Sequence, residues 1–157
     1  MQKRINAFEV RPQVVKALMG LGGYLIKSPV EKSLLHLIEF RVSQINGCAF
    51  CLDMHAKDLR AEGESEQRIY MLSAWRETNL YTDREQAALA WAEAVTQLNN
   101  QQVTDEIYEQ ALRAFTEEEL VDLTFAVTAI NTWNRFNIAF HTPAGDYQPG
   151  QFAANAS

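Results

Sequence analysis

The stretch PVEKSLLHLIEFRVSQINGCAFCLDMH, Pro29–His55, combines a helical pattern with the only two cysteines of the chain. Its first half repeats apolar residues at helical spacing: Leu34, Leu35, Ile38, Val42 and Ile45. Asn46–Gly47 interrupts the pattern, because both residue types tolerate turn and left-handed geometry. We therefore predict one helix before this break and a second from about Cys48 to Ala61, which ends at Gly63.

Further helices are indicated on both sides of this pair. A short helix is expected to begin at Pro12 and to end at Gly22–Gly23. Thr82–Glu85 and Thr116–Glu119 match the capping box, in which threonine and glutamate satisfy free backbone amides reciprocally. Thr104 offers a simpler N-cap. Each of the last three positions predicts the start of a helix.

The pattern predicts one domain of a single structural class. Convincing alternating strands are absent from the sequence, and so are internal repeats and a glycine- or serine-rich linker. We predict an all-α fold, a single compact and oligomerising helical domain over residues 1–147 with a C-terminal tail over residues 148–157. Proline and glycine after His141 favour an extended arm there.

Composition excludes several classes of function. The 157 residues are 47% hydrophobic and 22% charged, which is typical of a globular domain large enough to bury a core. A net charge of −6 without a basic stripe argues against nucleic-acid binding, and the absence of a long apolar run argues against a membrane span. The N-terminus has no secretion signal pattern, so we expect a cytoplasmic protein, where a disulfide is more often catalytic than structural.

The cysteine pair has the geometry of a redox centre. On a helix, Cys48, Cys51 and His55 lie along one face, and Cα atoms three residues apart are about 5 Å from each other, within disulfide range. A bridge over so short a loop adds little stability, which favours a bond that is made and broken. His55 can carry a proton near neutral pH. The helix dipole by itself favours a thiolate at Cys48.

Other uses of a cysteine pair make different demands on the sequence. Two small core residues remain possible, and zinc would need a fourth ligand from His36 or Glu39. Covalent haem attachment requires a histidine directly after the second cysteine, where Leu52 stands. An iron–sulfur cluster needs more cysteines, and the thioredoxin fold needs a strand–helix unit. A thiol–disulfide centre on an all-helical scaffold is the favoured interpretation.

Three segments together resemble the alkylhydroperoxidase AhpD-like branch of the carboxymuconolactone decarboxylase family. They are RVSQINGCAFCLDMHAKDLR (residues 41–60), YMLSAWRETNLYTDREQAALAWAEAVT (70–96) and INTWNRFNIAFHTPAGDY (130–147). The resemblance implies an all-α domain that forms homotrimers or homohexamers. It also implies that Cys51 attacks a hydroperoxide, that Cys48 resolves the sulfenic acid, and that His55 carries the proton.

The sequence departs from that family at two positions. AhpD-like proteins often carry a relay glutamate twelve residues before the first cysteine; His36 stands there, and Glu39 lies one turn further along. Either residue could complete a relay with His55, or Glu39 could orient His36. AhpD also has a histidine next to the second cysteine, where this chain has Phe50, which implies weaker activity or bulkier apolar substrates.

The leading hypothesis is a thiol-dependent alkyl hydroperoxide reductase or disulfide oxidoreductase. Its substrate would be an organic hydroperoxide, its reductant an external dithiol of thioredoxin-like or lipoyl type, and it would need no cofactor. The alternatives are a lyase of the carboxymuconolactone decarboxylase type and a non-catalytic oligomer whose disulfide tunes assembly.

Overall fold

Eight α-helices and one 3₁₀ helix form the regular structure of residues 4–98 and 102–152, which the computed structural model describes. They are α1 (Ala7–Val10), α2 (Pro12–Leu25), α3 (Lys32–Asn46), α4 (Ala49–Ala61), α5 (Glu66–Met71), the 3₁₀ helix (Leu72–Glu77), α6 (Asp83–Gln97), α7 (Asp105–Ala114) and α8 (Glu117–Phe140). No strand occurs in these ranges. The predicted all-α, single-domain fold is confirmed. None of the helices described is long and apolar enough to cross a membrane.

The break between α3 and α4 lies where the sequence predicts it. Gly47 adopts φ 69° and ends α3, a left-handed conformation that glycine reaches without steric cost. Cys48 is the N-cap of α4, and its sulfur accepts a hydrogen bond from the backbone N–H of Cys51 at 3.4 Å. The turn therefore places both cysteines at the N-terminal end of α4.

Helix starts follow their capping residues closely. Both predicted capping boxes form, at Thr82 with Glu85 and at Thr116 with Glu119. Thr104 takes the N-cap position of α7, although its hydroxyl makes no capping hydrogen bond. These three helices begin as predicted.

The predicted end of α2 at Gly22–Gly23 is wrong. The helix continues through both glycines to Leu25, which is buried in the main core. Glycine within a helix costs only about 1 kcal/mol relative to alanine, and the burial of Leu25 offsets a cost of that size. Tertiary packing therefore overrides the local signal.

Helix α3 occupies the centre of the fold. It packs against α4, α6 and α8. One side contributes Leu34, Ile38 and Val42 to the main core with α6 and α8, and another contributes Leu37 and Phe40 to a second cluster beneath α4 and the 3₁₀ helix. Since α3 is buried on two sides, the turn that carries the cysteines follows directly from a helix anchored in the core.

The chain after α8 folds back onto α4. Nζ of Lys57 donates to the carbonyl oxygens of Gly145 and Tyr147, at 2.7 and 3.1 Å, and the backbone N–H of Gly145 donates to Asp53 at 3.0 Å. Phe152 stacks on the ring of Tyr147 at 5.7 Å. We call residues 142–152 the return segment. The predicted tail boundary at residue 147 stays a prediction, and residues 153–157 lie outside the described ranges.

Candidate active site

Cys48 and Cys51 are joined by a disulfide at the start of α4. Their Cα atoms are 5.4 Å apart, close to the spacing that the helix predicts, and each residue is 1% exposed. The pair is therefore both bonded and buried. Its access to small molecules depends on the cavity beside it.

A cavity of about 700 Å³ reaches this pair from one side. Cys51 and His55 from α4 line it, together with His36 and Glu39 from α3, whereas Cys48 is not among its lining residues. Much of the remaining wall is apolar: Phe8, Met19, Leu25, Ile26, Val30, Leu35, Phe50, Met54, Ala129, Ile130, Trp133 and Phe152. A small apolar molecule in this cavity would meet the sulfur of Cys51 rather than that of Cys48.

Glu39 and His55 form the acid–base pair of the cavity. Oε2 of Glu39 lies 3.6 Å from Nδ1 of His55, and Nε2 of His55 has no hydrogen-bond partner in the part of the chain that the structure describes. Burial raises the pKa of Glu39 to about 8, helped by the charges of Asp58 and Glu62. Burial also lowers the pKa of His55 to about 3, helped by His36. At neutral pH both groups are therefore uncharged, and His55 has a free nitrogen.

His36 lies on the same wall but has a different partner. Its Nδ1 is 2.8 Å from Oε2 of Glu62. The other carboxylate oxygen of Glu62, Oε1, accepts a hydrogen bond from Lys32. The His36 and His55 ring centroids are 6.4 Å apart. Of the arrangements left open by the sequence, the structure places Glu39 beside His55 and directs His36 toward Glu62.

Two residues distant in sequence complete the polar part of the cavity. Asn137 of α8 donates from Nδ2 to the sulfur of Cys51 at 3.5 Å. Tyr147 of the return segment donates its hydroxyl to Asp58 of α4 at 2.8 Å. Burial and the neighbouring Asp58 raise the pKa of Tyr147 to about 12, so it remains a donor at neutral pH. Sequence reasoning missed Asn137, Asp58 and Tyr147 as site residues; a polar residue in the otherwise apolar pattern of α8 was the signal available for Asn137.

The sequence model of the carboxymuconolactone decarboxylase family matches residues 12–94, which include α3, the cysteine pair and α4. The uncharacterized protein YdfG of Bacillus subtilis (strain 168) is 42% identical over 139 residues, 88% of this chain and 95% of the relative. The chain belongs to the carboxymuconolactone decarboxylase family. Its recognition from the three sequence segments is confirmed.

Solved structures place this family member in the AhpD-like group. A protein of unknown function from Agrobacterium tumefaciens, named as a candidate antioxidant defence protein AhpD, superposes with a TM-score of 0.88 at 42% identity, over 93% of this chain and all of that one. An AhpD-core, peroxidase-related protein from Ralstonia eutropha JMP134 gives a TM-score of 0.78 at 19% identity, over 89% of this chain and 75% of that one. The second likeness concerns the fold alone.

A zinc site needs several ligand side chains grouped around one point. Within residues 4–98 and 102–152, no group of three or more histidine, cysteine, aspartate or glutamate side chains is arranged to hold a metal ion. His36 and Glu39, the two candidates for a fourth zinc ligand, face Glu62 and His55 instead.

Proposed function

We propose that this protein is a thiol-dependent peroxidase that reduces organic hydroperoxides through its Cys48–Cys51 pair. Cys51 is the nucleophile, Cys48 the resolving thiol and His55 the proton carrier. Glu39 orients His55, and His36 lies beside this pair on the cavity wall, bonded to Glu62. The carboxymuconolactone decarboxylase fold and the likeness to an AhpD candidate at 42% identity support this class of activity.

The observation that carries the proposal is that only one of the two cysteines lines the cavity. Cys51 lines the cavity with His55 and Glu39, and Cys48 lies outside its lining. A nucleophile must reach its substrate, whereas a resolving thiol needs only to reach the nucleophile. The 5.4 Å Cα separation meets that second need without a change of fold.

The first chemical step consumes the hydroperoxide. The Cys51 thiol transfers its proton to the free Nε2 of His55, and the thiolate attacks the terminal oxygen of ROOH. An S–O bond forms as the O–O bond breaks, and the departing alkoxide takes the proton back from His55. The products are Cys51 sulfenic acid and the alcohol ROH. Burial keeps His55 uncharged at rest, and because it also makes the imidazole a weak base, the proton passes on to the alkoxide and does not stay on His55.

The next steps restore the enzyme. The Cys48 thiol attacks the sulfenic sulfur, releases water and leaves the disulfide. An external dithiol of thioredoxin-like or lipoyl type then reduces this disulfide through a mixed disulfide and becomes oxidised itself. Every electron that reduces the peroxide therefore comes from the external dithiol.

Assembly and location are proposed along with the activity. We expect a cytoplasmic protein and, as the family resemblance implies, a homotrimer or homohexamer; exposed apolar side chains such as Val10 of α1 and Val14 of α2 offer surface for assembly. Sedimentation velocity of the purified protein measures the assembly directly.

The test of the proposed activity is the intact mass of reduced protein before and after one equivalent of cumene hydroperoxide. We expect wild type to lose two hydrogens and the C48S variant to gain one oxygen, while C51S stays unchanged. Unchanged masses in wild type and C48S, with the two thiols of wild type and the single thiol of C48S still titratable, would exclude the peroxidase. Lyase activity that survives both substitutions, or a change of oligomer size without turnover, would identify the alternative functions.

A further inference from the structure

Asn137 brings a buried amide to the sulfur of Cys51 from a different helix. The residue is 4% exposed, lines the cavity, and donates from Nδ2 to the Cys51 sulfur at 3.5 Å. Its Oδ1 is buried without a hydrogen-bond partner in the part of the chain that the structure describes. An unpartnered buried acceptor costs about 1 to 3 kcal/mol, so its retention on a cavity wall indicates a group that accepts from a ligand.

The Cys51 sulfur requires such a donor if it is to react as a thiolate. It is 1% exposed, and burial in apolar surroundings disfavours the charged form of a thiol. His55 is kept uncharged by its own burial and supplies no positive charge to the resting site. The backbone N–H of Cys51 donates to the Cys48 sulfur instead. The Asn137 amide is thus the donor that the described structure directs at Cys51.

We propose that Asn137 is a catalytic residue that binds both reacting partners through the two ends of its amide. Nδ2 donates to the Cys51 thiolate, and Oδ1 accepts the O–H of the hydroperoxide in the cavity. The second half of this inference rests on the proposed peroxidase function; the first half applies to any reaction that uses Cys51 as a thiolate.

The amide would hold the same hydrogen through the reaction. In ROOH the terminal oxygen carries the hydrogen, and this oxygen is the one that the sulfur attacks. After the S–O bond forms and the O–O bond breaks, the transferred oxygen keeps that hydrogen as the sulfenic O–H. Oδ1 therefore accepts from the substrate before the step and from the sulfenic acid after it.

This role also explains how Cys51 can act as the nucleophile although Cys48 is the N-cap. Cys48 receives the backbone N–H at the helix start, which is the donor that the dipole argument favours. Cys51 receives a side-chain donor and the cavity. Local structure thus provides a hydrogen-bond donor to the Cys48 sulfur, and tertiary structure provides one to the Cys51 sulfur.

The test measures Cys51 ionisation without any peroxide. In the C48S background, the rate of iodoacetamide alkylation is followed against pH for three proteins: the parent, which keeps Asn137, and the variants N137A and the isosteric N137D. We expect the midpoint of N137A to rise by about one pH unit, which is about a tenfold loss of alkylation rate at low pH. The midpoint of N137D should rise further, because this substitution removes the donor and adds a negative charge next to the Cys51 thiolate. Circular dichroism and thermal unfolding check that each variant folds, and two substitutions guard against the failure of one.

The matched control is N134A, which removes a buried amide one turn earlier on α8. Asn134 donates to Ser43 at 3.0 Å and, within the described residues, makes no hydrogen bond to Cys51, so the midpoint of N134A should equal that of the parent. Equal midpoints for N137A and the parent, or an equal shift in N134A, would overturn the inference. A further outcome is a midpoint that shifts in the Asn137 variants alone while the wild-type protein does not reduce peroxide. That result would support the role of Asn137 toward the Cys51 thiolate, and it would reject both its role toward the substrate and the proposed peroxidase.

Discussion

Oε2 of Glu39 lies 3.6 Å from Nδ1 of His55, and burial drives the two groups toward their uncharged forms. An acid with a pKa near 8 and a base with a pKa near 3 together hold one proton at pH 7, on the carboxyl group of Glu39. This arrangement differs from a salt bridge. It leaves His55 uncharged at neutral pH, and it gives the pair a recognisable pH dependence.

The first prediction concerns stability between pH 6.5 and 8. In this window Glu39 binds a proton in the folded protein and none in the unfolded chain, where its pKa is near its ordinary 4.5. Folding therefore takes up a proton, and the free energy of unfolding falls as pH rises. Below pH 6.5, His55 binds a proton in the unfolded chain but not in the folded protein, which makes the free energy of unfolding rise with pH. Between about pH 4.5 and 6.5 this effect offsets that of Glu39.

The E39Q variant should lack this loss of stability. One proton corresponds to about 1.4 kcal/mol per pH unit, so the window is worth at most about 2 kcal/mol. We expect the measured loss of stability to lie in the lower half of the range up to that limit, since 18% of the Glu39 side chain is exposed and solvent weakens the effect of burial. Urea unfolding of wild type and E39Q across the window measures it, with exposed Glu109 substituted as E109Q for the control. Parallel curves for wild type and E39Q would contradict the raised pKa.

The second prediction separates the two histidines of the cavity. H55Q should reduce the rate of Cys51 oxidation by cumene hydroperoxide by about 10²- to 10⁴-fold, because it removes the base next to the nucleophile. H36Q should have a much smaller effect, since His36 is bonded to Glu62 and its ring centroid is 6.4 Å from that of His55. Stopped-flow oxidation of the reduced variants gives both rates, and equal losses would reject His55 as the proton carrier.

Local sequence signals account for most of the helix boundaries, and tertiary packing accounts for the boundary that they did not predict. The Gly47 break and the boxes at Thr82 and Thr116 act within a few residues, so the sequence predicts them. The end of α2 depends on Leu25 reaching a core built by distant helices, which no local pattern contains.

The same distinction applies to the candidate site. Cys48, Cys51 and His55 share one helical face, which spacing alone predicts. The choice between Glu39 and His36 depends on how α3 lies across α4, and periodicity does not fix that rotation. Asn137 lies 86 residues from Cys51 in sequence, so only the packing of α8 on α4 reveals their contact.

The third prediction concerns the return segment. Removing the hydroxyl in Y147F leaves the partly buried Asp58 without its 2.8 Å donor, which should cost about 1 to 2 kcal/mol of unfolding free energy at pH 7. That hydrogen bond lowers the pKa of Asp58, which burial raises. The destabilisation should therefore shrink at acid pH, where Asp58 is protonated in both proteins.

The control for Y147F is Y70F. Tyr70 donates to Glu66 at 3.1 Å on the exposed surface, where loss of such a bond should change stability by about 0.5 kcal/mol or less. Chemical denaturation at neutral and acid pH compares the two variants. Similar losses in both, or a Y147F loss that does not depend on pH, would show that the Tyr147–Asp58 bond does not anchor the segment.

The fourth prediction concerns Phe50, which stands where the resemblance to AhpD implies a histidine and which forms part of the apolar cavity wall. Its ring lies 6.5 Å from that of Phe152, so the two aromatics bound the cavity from α4 and the return segment. Replacement by histidine in F50H exchanges apolar surface for a polar ring. Contacts of this kind are worth about 1 to 3 kcal/mol for a buried apolar group.

F50H should therefore lower the rate with cumene hydroperoxide relative to the rate with hydrogen peroxide by about tenfold or more. Hydrogen peroxide has no apolar body, so its rate reports any general damage to Cys51. F140H is the matched control, since Phe140 packs against Phe136 on α8 and is not among the cavity-lining residues. Competition kinetics with both peroxides gives the ratio directly. A ratio that F50H leaves unchanged would mean that the substrate does not lie against this wall.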